Sequence, residues 1–269
     1  MEIEVLVRPT RDRGARWSVR VSDVDGGDVL ASYEPDALLP TASVGKVFLL
    51  IEVAARVERG ELELAHLVDR DAVPPVADSG LWQHLATGRL PLADVVRLVG
   101  TVSDNWATNA LLDVVGLEAV QDCAAVWAPG GSMLHDQVRD VRRAGDPATL
   151  SEGSASDWTQ VFGALARGEV VSPFASEQVL DWLATGVDLS MVGSAFGLDP
   201  LAHGEPDRGV RLWSKTGSSS GVRADVGLVD DDGSRLAYAV LSTWPAEGPD
   251  LRDDVLATMR RIGAEMRNL

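Results

Sequence analysis

The chain has 269 residues, with 41 acidic side chains against 24 basic ones and a net charge of −17. That balance excludes nucleic acid and anionic membrane surfaces as partners, because binding phosphate needs basic patches. At 45% hydrophobic residues with eight Trp, the chain can bury a substantial core and is not disordered.

The first residues, Met1–Val7, place acids first, with no basic-then-apolar leader, and alternate as a short strand would. No run approaches 18 apolar residues, so no membrane span is expected and the chain reads as cytoplasmic. Trp17–Val24 and Val29–Tyr33 alternate on either side of Asp25-Gly26-Gly27-Asp28, which predicts a β-hairpin. Glu34–Pro40 is a loop. Thr41–Arg59 is a helix closed by Gly60. Glu61–Arg89 reads as irregular. Leu92–Val99, Trp106–Val115 and Leu117–Trp127 read as three helices, with Cys123 in the third as a small core residue rather than a reactive thiol. Residues 128–153 form a long loop, of the kind that is usually functional or mobile. A helix follows from Ser154 to Arg167, with Asp157 as a capping acid. Ser176–Ala184 is another helix, and 188–209 is loop and partial helix. From Val210 the pattern changes to strands, Arg211–Thr216, Ala224–Val229 and Arg235–Thr243. A closing amphipathic helix spans Asp250–Asn268, with Leu251, Val255, Met259 and Ile262 at helical spacing.

Strands at both ends and helices between them predict an α/β (α+β) fold. One antiparallel sheet forms from the N- and C-terminal strands and is flanked by helices, beside a central all-helical lobe. Residues 1–45 and 205–269 make the sheet lobe with its closing helix, residues 46–204 make the helical lobe, and the two form one intertwined unit. A site belongs in the cleft at their junction. One cysteine and four scattered histidines (His66, His84, His135, His203) leave no metal-ligand spacing, and there is no phosphate-binding Gly loop, so neither metal nor cofactor is expected.

Only two of the 24 basic residues are lysines, Lys46 and Lys215. Arginine serves any surface cation but does not lose its proton in a protein, whereas a buried lysine does. Lys46 follows Ser43 by three residues at a helix start. Hydroxyl and amine are then one turn apart on the same face, with the positive end of the helix dipole nearby. This is the arrangement of an activated serine nucleophile. Two further triplets follow. Ser103-Asp104-Asn105 falls in the break between two apolar helices, where alone it reads as a helix N-cap. Lys215-Thr216-Gly217 falls at a strand end, where alone it reads as a strand exit.

Ser-x-x-Lys, Ser-Asp-Asn and Lys-Thr-Gly in this order resemble the set of the class A β-lactamase and penicillin-binding-protein superfamily of serine hydrolases. The resemblance runs from about Trp17 to Asn268. It implies that Ser43 is acylated and that Lys46 takes its proton. It further implies that Ser103 passes a proton to the leaving nitrogen beside Lys215. Asn105 would hold the substrate's amide side chain, and Thr216 and Ser218 its carboxylate. The Ser43 and Ser218 N–H groups would form the oxyanion hole, with Gly217 allowing close approach. Arg223 sits where some class A enzymes carry a carboxylate-steering arginine.

The chain departs from that pattern between Ser132 and Pro147, which hold no glutamate and no Leu-Asn. Asp136 falls nearest the place of the usual deacylating glutamate, and Asp140 is the alternative. The expected substrate is a small-molecule amide, ester or lactam, and the chain is expected to be a monomer. Three readings stand: a serine hydrolase acylated on Ser43, with possible β-lactam hydrolysis; a non-hydrolytic β-lactam-binding sensor; and a cytosolic amidohydrolase of glutaminase type. The second and third triplets favour the lactamase branch over the last.

Overall fold

The computed structural model describes residues 2–269. In chain order it contains α1 (Ile3–Arg11), β1 (Arg16–Asp23), β2 (Val29–Tyr33), β3 (Leu39–Pro40), a 3-10 turn (Ala42–Gly45) and α2 (Lys46–Glu58). There follow β4 (Leu67–Asp69), β5 (Arg89–Pro91), α3 (Leu92–Val102), α4 (Asn105–Val115), α5 (Leu117–Trp127), β6 (Met133–Leu134), β7 (Ser151–Gly153), α6 (Ala155–Ala166) and α7 (Pro173–Leu183). β8 (Val210–Ser219), β9 (Val222–Asp231), β10 (Ser234–Thr243) and α8 (Arg252–Met266) close the chain.

The main sheet is antiparallel, in the order β2-β1-β10-β9-β8, so the N-terminal hairpin joins the C-terminal meander through β1 and β10, with Val19 opposite Val240. Helices cover both faces. Val226, Leu228, Ala239 and Leu241 face a core shared with Phe48, Trp158 and Phe162. Val19, Val21, Tyr238 and Val240 face a second core shared with Ile3, Val7, Val255, Met259 and Ile262. With water on neither side, the middle of each strand is apolar, Val226–Val229 in β9 and Leu236–Leu241 in β10.

α2 runs through the middle of the first core. Val47, Phe48, Leu49, Leu50 and Ile51 are all fully buried, as expected of a helix that is apolar all round. Phe48 stacks on Trp158 of α6 with ring centroids 4.7 Å apart. Truncating such a residue typically costs about 3–5 kcal/mol. Because α2 is central, its first residue, Lys46, is carried into the interior.

Three local expectations change. The strand expected over 1–7 is helical from Ile3, while Met1 lies outside the described residues. A strand would put Ile3, Val5 and Val7 on one face, but Ile3 and Val7 are buried and Val5 is 51% exposed, which is helical spacing. The loop over 128–153 is closed at its ends by β6 and β7, which pair with each other and, through β7, with β3. Ser154 caps α6 as expected, accepting from the Asp157 N–H. The Asp157 carboxylate instead takes the Gly130 and Ser132 N–H groups and the Ser132 hydroxyl. Cys123 packs against the first core, and burial pushes its thiol up to about 12, well away from reactivity. No helix among the described residues is long and apolar enough to cross a membrane.

Candidate active site

The Ser-Asp-Asn segment is built around a break between helices. α3 ends in Ser103, which adopts the left-handed conformation (φ 55°, ψ 36°). Asp104 then caps α4 by accepting from the Ala107 N–H. Its other oxygen accepts from the N–H groups of Leu81 (2.7 Å) and Trp82 (2.8 Å), fastening the 78–82 loop to the start of α4. A side chain at Gly80 (φ +122°) would overlap Asp104, so the close approach requires glycine. These contacts fix the angle at which Ser103 and Asn105 enter the cleft.

Lys46 lies fully buried beneath them. Its Nζ donates to the Ser103 carbonyl (2.7 Å) and to Asn105 Oδ1 (2.8 Å), and lies 3.2 Å from Ser103 Oγ. The Asn105 amide orientation is set from its far side, where Nδ2 donates to the Ala77 carbonyl. Two of the Lys46 neighbours are therefore obligate acceptors and the third is a hydroxyl. A neutral amine has two N–H groups and one lone pair, which matches that set. Burial first, and then the charge of Lys215, hold the Lys46 amine well below the usual lysine range, against the pull of Asp104 and Asp78.

Lys215 approaches the same hydroxyl from the other side. It is buried on β8 and donates to Ser103 Oγ (3.0 Å) and to the Thr216 carbonyl (2.8 Å). Burial lowers it to about 8, with Asp188 and Asp225 opposing. Ser103 Oγ thus lies within hydrogen-bond reach of both lysines of the chain.

Ser43 occupies the 3-10 turn rather than the first turn of α2, which begins at Lys46. Ala42 beside it holds φ +49°, a conformation that costs a non-glycine residue on the order of 1 kcal/mol or more. β8 presses on this turn. A Cβ at Gly217 would run into the Thr41 carbonyl oxygen and lie 3.0 Å from the Ser43 nitrogen. Gly217 therefore has a packing reason to be glycine.

Ser43, Ser103, Asn105, Lys215, Thr216 and Ser218 all line one cleft of about 810 Å³. Lys46, Asp136, Gly217 and Arg223 are not part of that lining. The Asp136 carboxylate is 4% exposed and is held by Arg139 (2.7 and 3.0 Å) and Arg142 (2.7 Å). Burial pushes its carboxyl up, but the two arginines outweigh this and hold it below the usual range. It is committed to closing the loop and is not part of the cleft lining. Asp140 does line the cleft and accepts from the Ala77 N–H (3.0 Å). Arg223 donates to the Ser219 and Val222 carbonyls and sits 6.0 Å from the Trp244 ring, bracing the β8–β9 turn from outside the lining.

Asn109 is a residue that the sequence reading missed. It is buried one turn beyond Asn105 on α4, and its side-chain amide grips Val138 twice. Nδ2 donates to the Val138 carbonyl (2.9 Å), and Oδ1 accepts the Val138 N–H (2.8 Å). Val138 lines the cleft, so this held position of the 135–150 loop, between Asp136 and Asp140, presents an isopropyl group. Asparagines at i and i+4 on one helix, Asn105 and Asn109, were the available signal.

Fold and site together define a serine β-lactamase-like hydrolase. The chain belongs to the β-lactamase enzyme family, whose sequence profile matches residues 2–268. It is 27% identical over 265 residues to a β-lactamase of Streptomyces albus G, covering 95% of this chain and 81% of that one. It is 28% identical over 302 residues to the β-lactamase regulatory protein BlaB of Streptomyces cacaoi, covering 96% of each. Among solved structures, a β-lactamase from Sphaerobacter thermophilus DSM 20745 superposes with a TM-score of 0.83 at 26% identity, over 99% of this chain and 96% of that one.

Proposed function

We propose that the cleft takes a small-molecule β-lactam or related amide and transfers its acyl group to Ser43. The observation that carries this reading is Ser103 Oγ, held between Lys46 and Lys215. Lys46, its proton affinity lowered by burial, accepts the Ser43 proton as Oγ attacks the carbonyl. The charge developing on the carbonyl oxygen falls to the Ser43 and Ser218 N–H groups, a reading supported by Gly217, next to Ser218, packing against the Ser43 turn. As the tetrahedral adduct collapses and the C–N bond breaks, the nitrogen takes a proton from Ser103, which recovers one from Lys46. Lys215 keeps its charge, polarises Ser103 and, with Thr216 and Ser218, holds the substrate carboxylate. Asn105 orients the acyl side chain.

Release of the acyl group is the slow half on this reading. Val138 stands at the Asn109-held position, and the Asp136 carboxylate is spent on arginines. That specific observation also supports a second reading, in which a long-lived acyl-enzyme serves as a β-lactam-responsive signal, in keeping with the regulatory relative.

The test is to incubate the protein with penicillin G and with a chromogenic cephalosporin, following intact mass and released product together. The expected result is a stoichiometric adduct on Ser43 that outlasts the burst of product, and no adduct with Ser43→Ala. Product turnover that survives Ser43→Ala would overturn the covalent mechanism.

A further inference from the structure

We infer that Ser151 is a positioning residue for Ser43, a clasp that holds the strained turn on the side away from the cleft. The inference rests on the reading that Ser43 is acylated.

Ser151 lies on β7, fully buried, and does not contribute to the cleft lining. Its hydroxyl donates to the Ala42 carbonyl (2.6 Å), accepts from the Gly45 N–H (3.3 Å) and lies 2.7 Å from Thr41 Oγ1. A serine hydroxyl has one proton and two lone pairs. The proton goes to Ala42, so Thr41 Oγ1 must be the donor of its pair. All three capacities are then used, each on a different residue of the turn. The Ser151 carbonyl adds a fourth tie by accepting the Thr41 N–H (2.9 Å). One side chain therefore touches the turn at two positions before Ser43 and one two positions after it.

The contact is too close to be incidental. A Cβ at Gly45 would lie 3.0 Å from Ser151 Oγ and would overlap Ser151 Cβ. On the opposite side, Gly217 of β8 presses on Thr41 and Ser43. The turn is thus gripped between two strands, and Ala42 at φ +49° is where the backbone yields. Residues in such conformations persist only when their surroundings over-determine them. The carbonyl of this strained residue, Ala42, is the group that receives the Ser151 proton. Without the clasp, the turn is free to relax toward an unstrained backbone, which would displace Ser43, the residue next to Ala42. Because β7 directly follows the 135–150 loop, the roof of the cleft and the Ser43 turn share this anchor.

Acylation kinetics test the clasp, with the parent's adduct formation on Ser43 as the prior check. If the parent forms no adduct, the functional reading fails and the clasp is moot with it. If the parent acylates, Ser151→Ala is expected to lower the acylation rate constant by about 10–100-fold, since misplacement of about 1 Å has effects of that size. The dissociation constant of the pre-acylation complex should stay within about threefold, because the groups that contact substrate are untouched. A purely structural role would instead lower the fraction of active protein, leaving the rate constant of that fraction unchanged. Thr41→Val, which removes only one of the hydroxyl's partners, should lower the rate constant several-fold and serves as the decisive variant if Ser151→Ala does not fold. Ser151→Ala, or Thr41→Val in its place, acylating within about threefold of the parent rate would overturn the inference.

Discussion

Replacing Gly217 by alanine tests the oxyanion hole at its tightest point. The new Cβ would meet the Thr41 carbonyl oxygen and approach the Ser43 nitrogen to 3.0 Å. Both obstacles are backbone, with no flexible side chain to swing aside. Strand β8 and the Ser43 turn must separate by about 1 Å, a misplacement that costs on the order of 100-fold in rate. The proposed donors, the Ser43 and Ser218 N–H groups, sit on the two sides of that gap. Losing one such donor costs about 10²–10³ in kcat, which agrees with the displacement argument. Carboxylate contacts from Thr216 and Lys215 move with the strand, so initial binding should change by less than about threefold. Stopped-flow acylation with a chromogenic cephalosporin separates the two quantities, and circular dichroism with a thermal melt checks that the fold survives. A folded Gly217→Ala variant that acylates within about threefold of the parent would refute the placement of the oxyanion hole.

Three other outcomes follow from the site and its surroundings. Acylation should rise with pH as Lys46 sheds its proton, on the acid side of the ordinary lysine range, and fall as Lys215 discharges near its value of about 8. Lys215→Arg should remove the falling limb, because arginine stays charged, and a parent rate still climbing above about pH 9 would contradict the scheme. Asp225, buried and raised to about 7, accepts from Tyr238 and from the Val192 and Gly193 N–H groups. The folded state then keeps a proton that the unfolded carboxyl has released, so stability should fall between about pH 4 and pH 7, by up to about 4 kcal/mol, and level off above. Melts of Asp225→Asn over that range should show the slope removed; an unchanged slope would assign it to other groups. Val138→Glu puts a carboxylate at the loop position that Asn109 holds, and a general base contributes about 10²–10⁴-fold. The Ser43 adduct should decay at least about tenfold faster by intact mass, and an unchanged lifetime would mean that this position does not reach the acyl carbonyl.

How much of this was legible depends on the range over which each feature is determined. The β1–β2 hairpin, the C-terminal meander and the order of the three triplets were readable because each is written in adjacent residues. The helix at 3–11 was not, because Ile3 and Val7 fit both periods until the packing of α8 decides which side is buried. That Ser43 starts in a 3-10 turn was also hidden, since it depends on pressure from Gly217, some 170 residues away. Asp136 is a separate case. Position in the loop suggested a base, yet Asp136-x-x-Arg139-x-x-Arg142 is itself a spacing that brings two cations to one carboxylate. Asn109 was overlooked because an asparagine in a helix reads as a weak propensity penalty, whereas its function is to hold a loop from another part of the chain.

The two halves of an acyl-transfer cycle make different demands on the residues around the ester. Acylation needs an amine kept neutral, a hydroxyl that relays protons and a cation that stays charged. Those tasks conflict unless the two lysines differ in proton affinity. Here Lys46 is held well below the usual range, while Lys215, with Asp188 and Asp225 opposing its burial, is lowered only to about 8. One hydroxyl between them, Ser103 Oγ, couples the pair. Deacylation needs a carboxylate that is free to accept a proton from water, within reach of the ester. The loop that should supply it gives its buried acid to Arg139 and Arg142, which must stay ion-paired for the loop to close. Its Asn109-held position gives a valine. Rigidity of the loop thus falls to Asp136 and its arginines, and Asp140 is the loop carboxylate that lines the cleft. Acylation and release should therefore respond to separate substitutions. Lys46→Met is expected to abolish the Ser43 adduct, whereas Asp136→Asn, which loosens the loop without removing a base, should alter stability far more than adduct lifetime. Should Asp136→Asn lengthen the adduct's lifetime as strongly as loss of a general base does, about 10²-fold or more, the assignment of Asp136 to loop closure would have to be abandoned.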